Sequence, residues 1–289
     1  MGEPLRGLLN PHSTNVALGQ IVAPRPVQYL RCVFAMAASR FIRHAFELDI
    51  DGGEPVPAIL QLPRTTDHVP GVVLLHGFSS RKERMADSIG RSLLQRGVAS
   101  LAIDLPLHGT RDGGLEGLSL RNPLELVQKW RLAVREAHAA VRYLSEQPAI
   151  DQRRLGIAGY SLGAYLAVMV ASDNQLVRTV ALAAGGDLPE TTPFAALVRT
   201  FADPRKAVRA LAGRPLLMVN GRHDRTIQPA QARALFEAAA EPKELRWYDG
   251  GHWPPTDAIE TVADWLAEQL GDGDDGQRRT AKMSSHGAQ

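Results

Sequence analysis

The chain has 289 residues, 44% of them hydrophobic and 22% charged, which is length and apolar content enough for a large buried core. Its 33 Lys and Arg against 31 Asp and Glu leave a formal net charge of only +2, which excludes the dense basic face of a nucleic-acid binder. The single cysteine, Cys32, excludes an internal disulfide framework and a cysteine-rich zinc site.

Residues 1–40 read as an N-terminal extension, partly helical. The opening MGEPLRGLLNPHSTN lacks the basic start and unbroken apolar run of a secretory leader. Residues 27–46, VQYLRCVFAMAASRFIRHAF, are apolar but broken by Arg31, Arg40, Arg43 and His44. The expectation there is an amphipathic helix packed on the domain, with no stable membrane insertion. HAFELDI, 44–50, alternates as a half-buried strand does, and Asp51-Gly52-Gly53 turns the chain into a second strand, 56–62. The pattern then changes to short continuous apolar runs at 70–75, 98–103, 154–159, 177–184 and 215–220, as in strands buried on both faces. An eighth strand, 243–248, alternates more and suits a sheet edge.

Helical spacing fills the gaps. Met85, Ile89, Leu93 and Leu94 mark a helix over 83–96. A long helix over 123–147 has Asn122 as N-cap and Pro123 in its first turn. Ala-rich helices cover 161–172 and 229–240, and Gly271 stops a last helix over 256–270. Strand alternating with helix predicts an α/β fold, an eight-stranded, mostly parallel sheet with helices on both faces. No linker splits it, so residues 41–270 read as one catalytic domain. The polar, Gly-rich stretch 271–289 reads as a disordered tail.

The strongest chemical signal is Gly159-Tyr160-Ser161-Leu162-Gly163, between a buried strand and an Ala-rich helix. This is the context of a nucleophile elbow, where the glycines relieve clashes and the serine sits at a helix N-terminus. A serine hydroxyl needs a general base. His252, in the loop after the last strand, can hang over the carboxyl edge of the sheet. The base needs an acid to set its tautomer. Asp224, after the strand ending at Asn220, is the assigned partner, and Asp187, after the preceding strand, is the rival. Asp104 reads as the organiser of its own loop. The oxyanion requires two donors: the Leu162 N–H, and the Phe78 N–H in the loop His76-Gly77-Phe78-Ser79. His76 shapes that loop and moves no proton.

The set HGFSS at 76–80, DLPLHG at 104–109, GYSLG at 159–163, GRHD at 221–224 and GGHW at 250–253 resembles the α/β-hydrolase superfamily over about residues 44–270. The dense spacing is most similar to the dienelactone-hydrolase-like and small serine carboxylesterase branch, with some similarity to prolyl oligopeptidase catalytic domains. Two departures matter. Dienelactone hydrolases use a cysteine nucleophile where this chain has Ser161, and the His-Gly-Gly-Gly of the hormone-sensitive-lipase branch is here broken by Phe78 and Ser79. The resemblance implies a Ser161–Asp224–His252 triad in that chain order, a short cap or none, and no cofactor.

Phe194, Leu197, Val198 and Phe201 form a helical apolar stripe, either a core-facing helix or a small flap beside Ser161. Tyr160, Trp253 and Phe194 are the candidate substrate-binding side chains. Arg81, Lys82, Arg84, Arg222 and Arg225 read as a solvated face, with an anionic substrate group as the alternative. No His, Cys or Asp cluster has metal spacing. The expected function is cleavage of a small-molecule carboxylic ester with a short to medium acyl chain. A peptidase, thioesterase or lactonase on the same triad is the alternative, and a non-catalytic binding protein a more remote one. A cytoplasmic location is expected, and a homo-oligomer is left open.

Overall fold

The computed structural model describes residues 41–50, 52–65, 67–111, 123–188 and 195–271, without the side chains of 123 and 195–197. Contacts divide the chain into Met1–Ala38 and Ser39–Gln289, and every described residue belongs to the second unit. The expected N-terminal extension over 1–40, the Asn122 cap and the tail from 272 lie outside the described residues.

Eight strands form one sheet in the order β1-β2-β4-β3-β5-β6-β7-β8. They are β1 (Phe41–Leu48), β2 (Val56–Pro63), β3 (Val69–Leu75), β4 (Ala99–Ile103), β5 (Ile150–Tyr160), β6 (Val177–Ala183), β7 (Leu216–Gly221) and β8 (Lys243–Tyr248). Only β2 runs against its neighbours, and the pairs from β4 through β8 are all parallel. Every residue of β4 and all but one of β3 are buried, as both faces of a parallel strand must be. β8 alternates intermediate and exposed residues at one edge, and β1 is largely exposed at the other.

One expectation is corrected. Residues 41–46 continue an apolar helical pattern in the sequence but form β1, paired in register from Phe41 with Pro63 to Leu48 with Val56. Pairing with β2 satisfies their backbone groups and overrides the local helical tendency.

The helices are α1 (Lys82–Met85), a π turn (Ala86–Gly90), α2 (Arg91–Gln95), α3 (Pro123–Ser145), α4 (Leu162–Asp173), α5 (Ala195–Phe201), α6 (Pro204–Ala210), α7 (Pro229–Ala238) and α8 (Thr256–Gln269). On one face of the sheet α3, α4, α6 and α7 bury Ala137, Leu144, Leu166, Val208 and Leu235 against the strands. On the other, Met85, Ile89 and Leu93 meet Val262 and Leu266 of α8. The single helix expected over 83–96 is interrupted by the π turn, and α6 was not anticipated from the sequence. No described helix is long and apolar enough to cross a membrane.

Because these strands are parallel, their carboxyl ends lie along one edge, where ligands bind in open α/β sheets. The loops after β3, β4, β5, β7 and β8 all open there.

Candidate active site

Ser161 follows β5 directly and precedes α4. Its backbone has φ 52° and ψ −112°, a strained conformation for a residue with a Cβ. The flanking glycines permit it. A Cβ on Gly159 would lie 2.0 Å from the Gly163 carbonyl oxygen, and one on Gly163 would lie 2.1 Å from that of Leu75. The strand, the turn and the helix start therefore close on one another with backbone alone between them. The hydroxyl projects from a backbone held on both sides.

His252 must reach back from β8 over three strand spacings, roughly 14 Å, to meet a residue at the end of β5. The loop after Tyr248 spans that distance and is held by several bonds. Tyr248 donates its hydroxyl to the Gly251 carbonyl at 2.9 Å, and the His223 N–H donates to Gly250 at 2.9 Å. A Cβ on Gly221 would lie 2.2 Å from the Gly251 oxygen, so the loop lies directly on the end of β7. In this position His252 Nε2 is 2.9 Å from Ser161 Oγ, and Nδ1 is 2.8 Å from Asp224 Oδ2.

The Asp224 side chain is fully buried. Its other oxygen accepts the N–H groups of Thr226 at 2.7 Å and Ile227 at 3.0 Å. An ionised carboxylate only accepts, so Nδ1 carries the proton and Nε2 is left to accept from the serine. The rival Asp187 is engaged elsewhere: Arg199 of α5 binds it through both nitrogens, at 3.0 and 3.1 Å. Ser161, His252 and Asp224 thus form one hydrogen-bonded line, and Asp187 is not part of it.

The loop after β3 passes beside the serine. A Cβ on Gly77 would lie 3.3 Å from Ser161 Cβ and 2.7 Å from the Tyr160 ring. Leu162, at the first position of α4, has no intrahelical acceptor for its N–H. Among the described residues the Phe78 N–H likewise has no backbone acceptor. His76 holds this loop. Its Nδ1–H donates to Gly77 O at 2.8 Å and its Nε2 accepts the Leu105 N–H at 3.0 Å. Burial pulls its pKa down to about 4; the bond to Gly77 opposes the fall and neighbouring His108 adds to it.

Lys82 is not on a solvated face. It is 5% exposed, and its ammonium reaches Asp104 Oδ2 at 2.7 Å and Glu83 at 2.9 Å. Burial lowers the ammonium pKa, but the bonds to Asp104 and Glu83 outweigh it and leave it raised. Asp104 also accepts the Lys82 N–H at 2.8 Å and the Thr110 N–H at 3.3 Å, so it organises the loops after both β3 and β4.

Tyr160 is buried and Trp253 exposed, with ring centroids 5.2 Å apart; the Tyr160 ring also meets the His252 ring at 5.3 Å. Both line a cavity that Ser161, Asp224 and His252 do not line. Phe194 and the Leu197 side chain lie outside the described residues; Val198 and Phe201 are half-buried on α5. Sequence reasoning missed Tyr248, which holds the His252 loop, and Arg199, which occupies Asp187. Among the described residues no group of three or more His, Cys, Asp or Glu could hold a metal ion.

A family model described as "Alpha/beta hydrolase family" matches residues 72–213, from β3 through the elbow to α6. Polyketide transferase ATR5 of Stachybotrys chlorohalonatus (strain IBT 40285) is 31% identical over 119 residues, 41% of this chain and 37% of its own. Hydrolase LUC6 of Fusarium sp is 29% identical over 152 residues, 50% of this chain and 34% of its own. The chain thus spans about a third of the length of these curated relatives. The crystal structure of TT1662 from Thermus thermophilus superposes with a TM-score of 0.66 at 22% identity, covering 79% of this chain and 98% of that one. At that identity the likeness shows the fold.

Proposed function

We propose that the chain, whose residues 72–213 match the α/β-hydrolase family model, is a member of that superfamily and a serine hydrolase cleaving a small carboxylic ester through an acyl-enzyme. The supporting observation is the unbroken line from Ser161 Oγ through His252 to Asp224. Ser161 attacks the ester carbonyl as His252 Nε2 takes its proton. The Leu162 and Phe78 N–H groups receive the oxyanion. The tetrahedral intermediate expels the alcohol, which takes the proton from His252. Water, deprotonated by His252, then attacks the acyl-serine and releases the acid. Asp224 holds the tautomer and balances the imidazolium.

Within the superfamily this reading puts the chain beside dienelactone-hydrolase-like and small carboxylesterases. The short interval between β6 and β7 favours a short to medium acyl chain. Peptides, thioesters and lactones pass through the same intermediate and are the alternative substrates. A transferase among the relatives favours one further variant, in which an alcohol rather than water takes the acyl group.

The test is a fluorophosphonate probe with peptide mapping, run beside p-nitrophenyl esters from acetate to palmitate with and without added alcohol. Label on Ser161, loss of turnover in Ser161→Ala and a maximum at short or medium chains are expected. Absence of label on folded protein overturns the nucleophile. Label without ester turnover moves the substrate to the other acyl compounds.

A further inference from the structure

On the face of the sheet covered by α8 and the π turn, behind the nucleophile's strand, lies a cavity of about 380 Å³. Protein interiors seldom leave voids much larger than a water molecule, and small-molecule sites begin at about this size. The cause lies in the sequence of the strands. Ala158 of β5 sits beside Ala181 of β6, and Ala183 lies between Tyr160 and Val219 in the next row. Three of these floor positions thus carry only a methyl group. The walls are Met85 and Ile89 on one side and Ile259 and Val262 of α8 on the other. The wall that carries Ile89 is the π turn, a geometry found frequently at functional sites.

The mouth has a different chemistry. The Arg84 guanidinium lies 4.8 Å over the Trp253 ring and forms no ion pair among the described residues. The acid beside it at the mouth, Asp87, is bound by Arg43 at 2.7 Å. A buried apolar lining and an exposed cation with no acid partner among the described residues match a chain ending in a carboxylate. Tyr160 lines this space and its ring meets that of His252 at 5.3 Å and that of Trp253 at 5.2 Å, while Ser161, Asp224 and His252 do not line it.

We propose that this cavity is a second ligand site, distinct from the Ser161 centre, that takes an aliphatic monocarboxylate with its chain on the alanine floor and its carboxylate on Arg84. No step of this binding uses Ser161, so its outcome is independent of the ester-cleavage reading.

The test is calorimetric titration of the full chain with octanoate, with acetate and 1-octanol as controls. Octanoate is expected to bind saturably at one site and acetate not at all. Arg84→Ala, at an exposed position, is expected to weaken octanoate at least tenfold and leave 1-octanol within twofold. Ala181→Leu, which fills the floor, is expected to weaken both at least tenfold, with circular dichroism confirming that the variant folds. If it does not fold, Arg84→Ala with the 1-octanol control decides. No saturable octanoate binding, or octanoate binding that Arg84→Ala leaves unchanged, overturns the proposal. So does an equal loss of octanoate and 1-octanol in Arg84→Ala.

Discussion

Ser161 combines a strained backbone with an oriented hydroxyl, and two glycines make that combination possible. Gly159→Ala would drive a methyl to 2.0 Å from the Gly163 carbonyl, a backbone atom that cannot swing aside. It is expected to destabilise the protein by more than about 3 kcal/mol or to prevent folding, as read by thermal melting. Asp224 offers a different test, because its two oxygens divide their work. One holds the turn through Thr226 and Ile227, the other holds His252. Asp224→Asn keeps an acceptor but presents an N–H group when its amide faces Nδ1, which favours the wrong tautomer. Turnover of the best ester is expected to fall about 10⁴-fold in kcat with little change in melting temperature. An equally large fall in stability would instead make Asp224 mainly a turn residue.

At the scale of elements, the loops at the carboxyl edge depend on one another. Lys82 and Asp104 join the start of α1 to the end of β4 through a buried pair, with the lysine side chain 7% and the aspartate 0% exposed. Removing one partner leaves a buried charge uncompensated. Lys82→Met is expected to cost about 3–5 kcal/mol in urea unfolding. A cost below about 1 kcal/mol, the range of a surface pair, would restore the solvated-face reading. That reading shows where the sequence stops being informative. Ser161 and Asp224 are legible because each follows a strand whose apolar run is unmistakable, His252 because it lies in the loop after the last, alternating strand, and strand order brings the loops together. Lys82 is a cation in a run of cations, and only the fold reveals the acid facing it, 22 residues along the chain. The same limit explains β1, where FIRHAF fits either period and its pairing partner decides, and α6, where Asp203 caps a single short turn-rich helix. The alanine floor is invisible for the converse reason. Three alanines in two neighbouring strands mean nothing until parallel register sets them side by side.

At the scale of the whole molecule, the buried histidines make stability depend on pH in a defined window. Both nitrogens of His76 are committed, one as donor to Gly77 and one as acceptor from Leu105, so the native ring is neutral. Its pKa is about 4 in the folded state against 6.5 for a free histidine. Between those values the unfolded chain binds more protons than the native one, so stability rises with pH across the window and falls as pH drops from 6.5 towards 4. Below about 4 both states are protonated and this contribution levels off. The ceiling for His76 alone is about 3 kcal/mol, because each tenfold loss of proton affinity on folding is worth about 1.4 kcal/mol. His108, lowered by burial, adds in the same direction. Carboxylates also titrate near the lower end, so the informative quantity is the difference between wild type and His76→Gln. The variant is expected to be less stable at pH 7, having lost one of two buried bonds, but to lose less on acidification. The gap between the two unfolding free energies should therefore narrow by up to about 3 kcal/mol between pH 7 and pH 4.5. Parallel profiles would mean that protonating His76 is accommodated without disturbing the loop after β3. The Phe78 N–H would then keep its place in acid.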